Sequence, residues 1–240
     1  MNYLKILISL LITLVVINHC SCQTLLEINT GPNWTILRDN QSTAANYSGT
    51  YKSYPSYYFS LLIKGRKAKP VHIGASISCY QSSINWQSIY GGHSEYGKNI
   101  NYLYETLRFS IFPECSFGKT VQFFFDISPY LSVIINSTKK GKSWGYNGSN
   151  ITNQDGSAEG DLHKIDLGFQ ESAGIGYLAA HWLLLSVEEN ASIGILNINK
   201  ATEGTVQSAT ICLLFGISFL IPESSEQASN KSDISINKYY

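Results

Sequence analysis

The sequence contains few charged residues, and this limits the partners that the protein can attract through charge alone. Charged residues make up 14% of the 240-residue chain, and 17 basic and 17 acidic residues leave a formal net charge of zero. Proteins that bind nucleic acid or anionic lipid electrostatically carry an excess of basic residues on one surface. The composition therefore argues against nucleic acid as a partner and against charge-driven attachment to lipid.

Apolar runs long enough for a membrane-spanning helix, roughly 20 residues, are also lacking. The apolar stretch 6–17 has twelve residues, a length typical of a secretory signal peptide. It precedes small side chains at Cys20 and Cys22, so we expect cleavage before Gln23. The apolar run 205–221 is followed by a polar tail, whereas a glycolipid-anchor signal ends in its hydrophobic segment. These features predict a secreted protein without a stable membrane anchor.

Cysteines are scarce after the predicted leader, where Cys79, Cys115 and Cys212 remain. An odd number in an oxidising compartment implies one disulfide and a leftover thiol, or an intermolecular bridge. Cys212 lies in the apolar run ATICLLFGISFLI, where a buried, inert thiol fits. We therefore expect a disulfide between Cys79 and Cys115, although sequence alone does not determine the connectivity.

Catalytic signatures are missing as well, and no residue is predicted to be catalytic. Neither serine with nearby glycines, at 92–96 or 156–160, fits the Gly-x-Ser-x-Gly turn of serine hydrolases. Paired carboxylates for glycoside cleavage need a defined separation in space. Four acidic residues are candidates for such a pair, although nothing in the sequence selects them: Asp126, Asp155, Glu159 and Asp166.

Sequons for N-glycosylation are abundant. The chain has eight Asn-x-Ser/Thr sequences, against about three expected by chance from its Asn, Ser and Thr content after residue 22. Several lie where loops are expected, and an acceptor asparagine must be exposed. The predicted glycosylation sites are Asn33, Asn40, Asn46, Asn136, Asn147, Asn150, Asn190 and Asn230.

The hydrophobic pattern favours strands over helices. In Tyr102–Phe112, apolar residues alternate with polar ones, as in a strand with one face in water. Tyr177–Leu185 is the best helical candidate. About ten such segments predict an all-β antiparallel sandwich of short strands. The predicted domains are a signal peptide at 1–22, the β-sandwich at 23–222 and a flexible polar tail at 223–240.

Two segments are candidate ligand sites. Tyr51, Tyr54 and Tyr57 lie in the tyrosine-rich sequence YSGTYKSYPSYYF, and exposed tyrosines stack on sugars or other ligands. The alternative is that these tyrosines pack as cross-strand pairs. Acidic residues in the glycine-containing segment NQDGSAEGD suggest a calcium site, although the spacing is not that of an EF-hand. The predicted metal ligands are Asp155, Glu159 and Asp161.

Together these features predict a secreted, N-glycosylated β-sandwich without enzymatic activity. Its expected role is an extracellular binding or adhesion module that recognises a glycan or a cell-surface protein. The alternatives are an extracellular hydrolase with a carboxylate-based site, and a structural coat or matrix glycoprotein. No cofactor is expected other than the hypothetical calcium ion. Fold alone is weak support for any of these functions.

Overall fold

The computed structural model describes residues 23–39, 47–66, 71–90, 96–145, 150–198 and 206–221. The predicted signal peptide and polar tail lie outside these residues. No helix long and apolar enough to cross a membrane occurs in the described parts of the chain. Eleven strands are formed there: β1 (Gln23–Asp39), β2 (Tyr47–Tyr54), β3 (Ser56–Arg66), β4 (Val71–Tyr90), β5 (Tyr96–Gly118), β6 (Val121–Trp144), β7 (Thr152–Asn153), β8 (Gly156–Ser157), β9 (Ile165–Ala180), β10 (Leu183–Gly194) and β11 (Val206–Ile221).

Eight of these strands form a closed antiparallel ring. In order around the ring they are β1, β3, β4, β5, β6, β9, β10 and β11, and β11 pairs again with β1. β2 precedes β3 in the chain, and both pair with β4, so that the two form one line along it with a break at Pro55. The all-β antiparallel prediction is confirmed. The prediction of a sandwich is wrong, because pairing runs without a break around one sheet and leaves no second sheet to stack on it.

The two ends of this barrel differ in their connections. At one end, here called the turn end, β5 joins β6 through residues 119–120 and β9 joins β10 through residues 181–182. The latter turn lies within Tyr177–Leu185, so the helical candidate is a β-hairpin. At the opposite loop end, the segment between β6 and β9 holds β7 and β8, which pair with β6. Since the number of wall strands is even, Gln23 and Ile221 both lie at the turn end.

Side-chain alternation places polar residues inside the barrel and apolar residues outside it. Along β6, buried and exposed residues alternate from Val121 to Ser132. Among the described residues, 31 polar or charged residues are buried, compared with 18 hydrophobic ones, whereas 35 large hydrophobic residues are exposed. This is the reverse of the arrangement that folds a water-soluble protein around an apolar core.

Candidate functional site

The outer surface near the turn end is a continuous apolar band. On β9, outward side chains are apolar from Ile165 to Tyr177 except at Glu171. These twelve steps span about 40 Å of strand, or about 30 Å along the axis at a tilt of roughly 40°. This height matches the hydrocarbon core of a bilayer, which is roughly 30 Å.

Aromatic residues mark the turn-end edge of the band. Trp182 stacks on Phe219 with ring centroids 6.3 Å apart, and Phe117 stacks on Phe123 at 6.1 Å. Towards the loop end, exposed Trp34 lies on β1. Aromatic girdles at both edges of an apolar band are typical of membrane β-barrels.

Two outward carboxylates interrupt the band near its middle. Glu171 on β9 pairs with Ala191 on β10, and Glu189 on β10 pairs with Ala173 on β9. The two glutamates are therefore diagonal neighbours on one face, where side chains of adjacent strands come within reach of each other. Charged groups at this depth are unfavourable in lipid, although less so for carboxylates than for basic groups.

The lumen at the turn end contains a buried charge network. Lys64 Nζ lies 2.8 Å from Glu27 Oε2 and 2.5 Å from Glu114 Oε2. Glu188 accepts a hydrogen bond from Ser172 at 2.7 Å. All of these charged groups are buried. Buried ions of this kind are tolerated because they are paired and hydrogen-bonded.

Arg108 closes the middle of the lumen. Its guanidinium donates hydrogen bonds to Tyr80 at 2.8 Å and Ser192 at 2.9 Å. It also lies 4.0 Å from the ring centroid of Tyr130. A cavity of only about 20 Å³ lies on the turn-end side. Eight-stranded barrels have interiors that side chains just fill, so the described lumen is a packed core and not a channel.

A cavity of about 440 Å³ opens inside the loop end. Its apolar wall includes Ile84, Ile100 and Val206. Tyr51 stacks on Trp86 with centroids 5.9 Å apart and rings 13° from parallel. Small-molecule sites are typically clefts of this size, with apolar and aromatic walls, and they occur in the mouths of β-barrels. This cavity is the candidate functional site.

Charged groups line one wall of the cavity. Lys98 Nζ lies 3.3 Å from the ring centroid of Trp86, a cation–π contact. Partial burial is the main cause that lowers the pKa of Lys98, to about 8; nearby Asp161 opposes this shift and Lys139 adds to it. Asp161 accepts hydrogen bonds from Lys139 at 2.7 Å and from Tyr102 at 3.3 Å. Burial, reinforced by Asp161, raises the pKa of the Tyr102 phenol.

A histidine–serine contact at the turn end lacks room for a substrate. His72 Nε2 and Ser116 Oγ are 2.9 Å apart. They border the cavity of about 20 Å³, which holds about one water molecule. Nucleophilic catalysis needs space for the reacting group beside the nucleophile. The contact therefore does not form an active site in this structure.

The structure separates the three predicted ligand-binding tyrosines. Tyr51 points into the loop-end cavity, whereas Tyr54 and Tyr57 are exposed on the outer surface. Tyr54 lies three residues after Tyr51 on β2 and therefore faces the opposite side of the sheet. The interruption at Pro55 shifts the alternation by one residue, so Tyr57 faces outwards as well. A shared tyrosine patch is therefore not formed, although Tyr51 belongs to the candidate site.

The predicted calcium ligands each make a different contact. Asp155 Oδ1 accepts a hydrogen bond from the Gly141 N–H at 3.1 Å, and Glu159 lies 3.3 Å from Lys164. Asp161 is bound to Lys139. The described part of the chain contains no group of three or more side chains placed to hold a metal ion. Calcium binding stays an untested prediction.

The predicted disulfide is wrong. Cys79 pairs in register with Leu107, whereas Cys115 pairs with Val71. Eight residues of β5 separate the two levels, about 27 Å along the strand. A disulfide needs α-carbons within roughly 7 Å, and all three described cysteines are free. Cys212 is buried, as expected.

The glycosylation prediction also needs correction. Asn33 and Asn190 lie within strands β1 and β10 and point into the lumen, where they are buried. A glycan attached there would have no space in the folded barrel. Asn136 and Asn150 are exposed, but exposure does not test modification. The remaining predicted sites lie outside the described residues: Asn40, Asn46, Asn147 and Asn230.

The four acidic residues considered for a hydrolase do not meet. Asp126 and Asp166 are buried in the lumen at the levels of Ser172 and Ser132 respectively. The two levels are six residues apart along β6, about 20 Å. Glycosidase carboxylates are roughly 5 to 9.5 Å apart. Asp155 lies in the exposed loop-end segment, as does Glu159.

Neither a protein-family model nor a curated protein matches this sequence. Solved structures with a similar chain path include Neisserial surface protein A, at 10% identity and a TM-score of 0.46, covering 82% of this chain and 97% of that one. The outer membrane protein OprG from Pseudomonas aeruginosa is 6% identical with a TM-score of 0.44, covering 85% of this chain and 98% of that one. The attachment invasion locus protein Ail of Yersinia pestis is 8% identical with a TM-score of 0.40, covering 82% of this chain and 99% of that one. At such identities and scores, the similarity concerns the path of the chain and not its function.

The predictions of a secreted, glycosylated binding module and of no stable membrane anchor are wrong, because the outer surface of the barrel is an apolar band and the polar side chains face the lumen. They rested on the apolar stretch 6–17, the sequons and the lack of a long apolar run, none of which indicates the direction of the strand faces. The similar solved structures include outer membrane proteins. The predicted extracellular glycan or cell-surface partner followed from the binding module, and it has no support because that prediction is wrong. Similar structures also include an outer membrane protease from Escherichia coli, and enzymatic activity of this chain is not decided by such similarity.

Proposed function

We propose that this chain is an integral membrane β-barrel with a closed lumen and a small-molecule binding site at its loop end. One observation carries the proposal: a closed ring of strands has apolar side chains outside and polar side chains inside. Such a surface is unfavourable in water and favourable in lipid. Ring closure satisfies the backbone hydrogen bonds within lipid.

The packed lumen supports binding over conduction. Arg108 and its tyrosine partners occupy the centre of the barrel, and the large cavity lies above them towards the loop end. A solute entering from the loop end would therefore meet this cavity and then a packed layer. The barrel holds the cavity at the membrane surface without offering a path across.

Reconstitution into liposomes tests this proposal. We expect the protein to stay with the vesicles after alkaline carbonate extraction and to keep β-sheet circular dichroism. We also expect planar bilayers containing the protein to show no steady ion conductance. A folded monomer that remains in the aqueous phase would overturn the membrane assignment. Steady conductance would overturn the closed lumen.

A further inference from the structure

The loop-end cavity offers hydrogen-bond donors that have no acceptor. Among the described residues, Lys98 has no carboxylate at ion-pair distance, whereas Lys139 is paired with Asp161. The indole N–H of Trp86 is buried and has no hydrogen-bond acceptor in the described structure. The tyrosine beside them, Tyr102, already donates to Asp161. A cation without a counter-ion among the described residues and an unsatisfied N–H are both groups that an anion satisfies.

The net charge of the described cavity lining is positive, which also favours an anion. Among the lining residues that the structure describes, two ammonium groups, Lys98 and Lys139, face one carboxylate, Asp161. One positive charge therefore remains in a partly buried space. A cationic ligand would be repelled there, and a neutral ligand would leave the Lys98 ammonium with its cation–π contact but without a counter-ion.

The rest of the lining is aromatic and aliphatic, and it favours a ligand whose uncharged part is apolar and flat. Tyr51 and Trp86 are nearly parallel, and Trp86 is also 6.2 Å from Tyr102. Ile84 and Ile100 add buried aliphatic surface beneath them. The Trp86 ring already contacts Tyr51 and the Lys98 ammonium, so a flat ring in the cavity would meet these side chains edge to face or offset, both of which aromatic pairs favour.

We propose that this cavity binds a soluble organic anion with a flat apolar body, its carboxylate at Lys98 and its body against Tyr51, Trp86 and Ile100. The proposal rests on the assignment of the loop-end cavity as the binding site. It adds the chemical class of the ligand.

Titration calorimetry on the full chain in phosphatidylcholine nanodiscs, with empty nanodiscs subtracted, tests the proposal. The probes share one ring system: 2-naphthoate, 2-naphthalenemethanol and 2-naphthylmethylammonium. We expect 2-naphthoate to bind at least about tenfold more tightly than the alcohol, because of the charge-assisted contact. We expect no measurable binding of the ammonium compound.

Two variants locate the contact. Lys98→Gln should weaken 2-naphthoate binding at least about tenfold. Trp86→Phe keeps an aromatic ring and removes the N–H, and should weaken it roughly 3- to 10-fold. Lys142→Gln is the matched control, because Lys142 is exposed on the neighbouring strand and pairs with Asn99, next to Lys98. This control should bind like the unaltered chain.

Equal affinity for the acid and the alcohol would overturn the proposal, as would an unchanged affinity in Lys98→Gln. Near-ultraviolet circular dichroism of each variant verifies that the barrel is folded. A protein that inserts and folds but does not bind 2-naphthoate refutes the ligand class and leaves the membrane barrel intact. A protein that does not enter nanodiscs refutes the proposed function itself.

Discussion

The band region and the loop end are built from the same strands, yet their two faces exchange polarity. Along β5, Phe109 and Ile111 face outwards in the band and Arg108 faces inwards. Nearer the loop end, Asn101 is exposed outside while Ile100 is buried inside. Each strand is therefore suited to two surroundings in turn: an apolar outer face around a polar lumen, and then a polar outer face around an apolar cavity. The exchange places the loop-end cavity beyond the apolar band.

The largest effect is expected from removing the Lys64 ammonium, which lies in the lumen at the level of the apolar band. Lys64→Met leaves Glu27 and Glu114 buried without their cation, and should lower the free energy of unfolding by about 3–5 kcal/mol. Urea unfolding in nanodiscs, followed by tryptophan fluorescence, measures this change. Lys142→Met, at the exposed loop end, should change it by less than about 0.5 kcal/mol. Equal effects would erase the distinction between the two regions.

The next test places one arginine on each outer surface. Phe215→Arg introduces a charge into the apolar band and should cost about 2–4 kcal/mol of stability near the bilayer midplane. Asn101→Arg lies on the polar outer face of the loop end and should be almost neutral. The same unfolding assay compares them. If Phe215→Arg were equally neutral, the band would not be in lipid.

A smaller effect is expected from the ionisation of Lys98. Burial lowers its pKa to about 8, below the ordinary 10.5, so the folded state loses this proton first as pH rises. The free energy of unfolding of the unaltered protein, measured relative to that of Lys98→Met, should therefore rise between pH 8 and 10.5, where only the unfolded chain keeps this proton. Affinity for 2-naphthoate should fall over the same interval, because the ammonium is lost. Parallel changes in stability and affinity would contradict this assignment.

The smallest expected effect concerns the two outward carboxylates. The double variant Glu171→Leu/Glu189→Leu removes the charges from the middle of the band and should stabilise the bilayer-embedded protein by roughly 1–2 kcal/mol. Unfolding in nanodiscs measures the gain. A loss of stability, or dissociation of a complex on substitution, would show that these glutamates have a partner within the membrane.

Alternation in the sequence was enough to predict strands but not the direction of their faces. In Tyr102–Phe112 the expected pattern is present, with Leu103 and Ile111 on one face and Arg108 and Ser110 on the other. Periodicity alone does not tell which face meets solvent. Taking the polar face as the outer one favoured the sandwich. The secreted state was predicted separately, from the apolar stretch 6–17, and the glycosylation sites from the Asn-x-Ser/Thr motif.

The candidate site was only partly accessible to sequence reasoning. Tyr51 was predicted to bind a ligand, and the cavity contains it. Trp86 and Lys98 were missed because their proximity comes from the register between β4 and β5, which pairs Trp86 with Ile100. Glu27 offered a clue, since it is a lone charge in the apolar run LLEI, whereas Lys64 opens the basic run KGRKAK and gave no such indication. Such isolated charges are expected where a lumen needs ion pairs.

An even number of wall strands has a practical consequence for orientation. Gln23 and Ile221 both emerge beside the short turns, at the pole opposite the cavity. An epitope fused after Ile221 would therefore lie on the side of the membrane opposite to the one from which the ligand enters. Access of an antibody to that epitope in intact vesicles, compared with access of 2-naphthoate, would give the sidedness of the binding site directly.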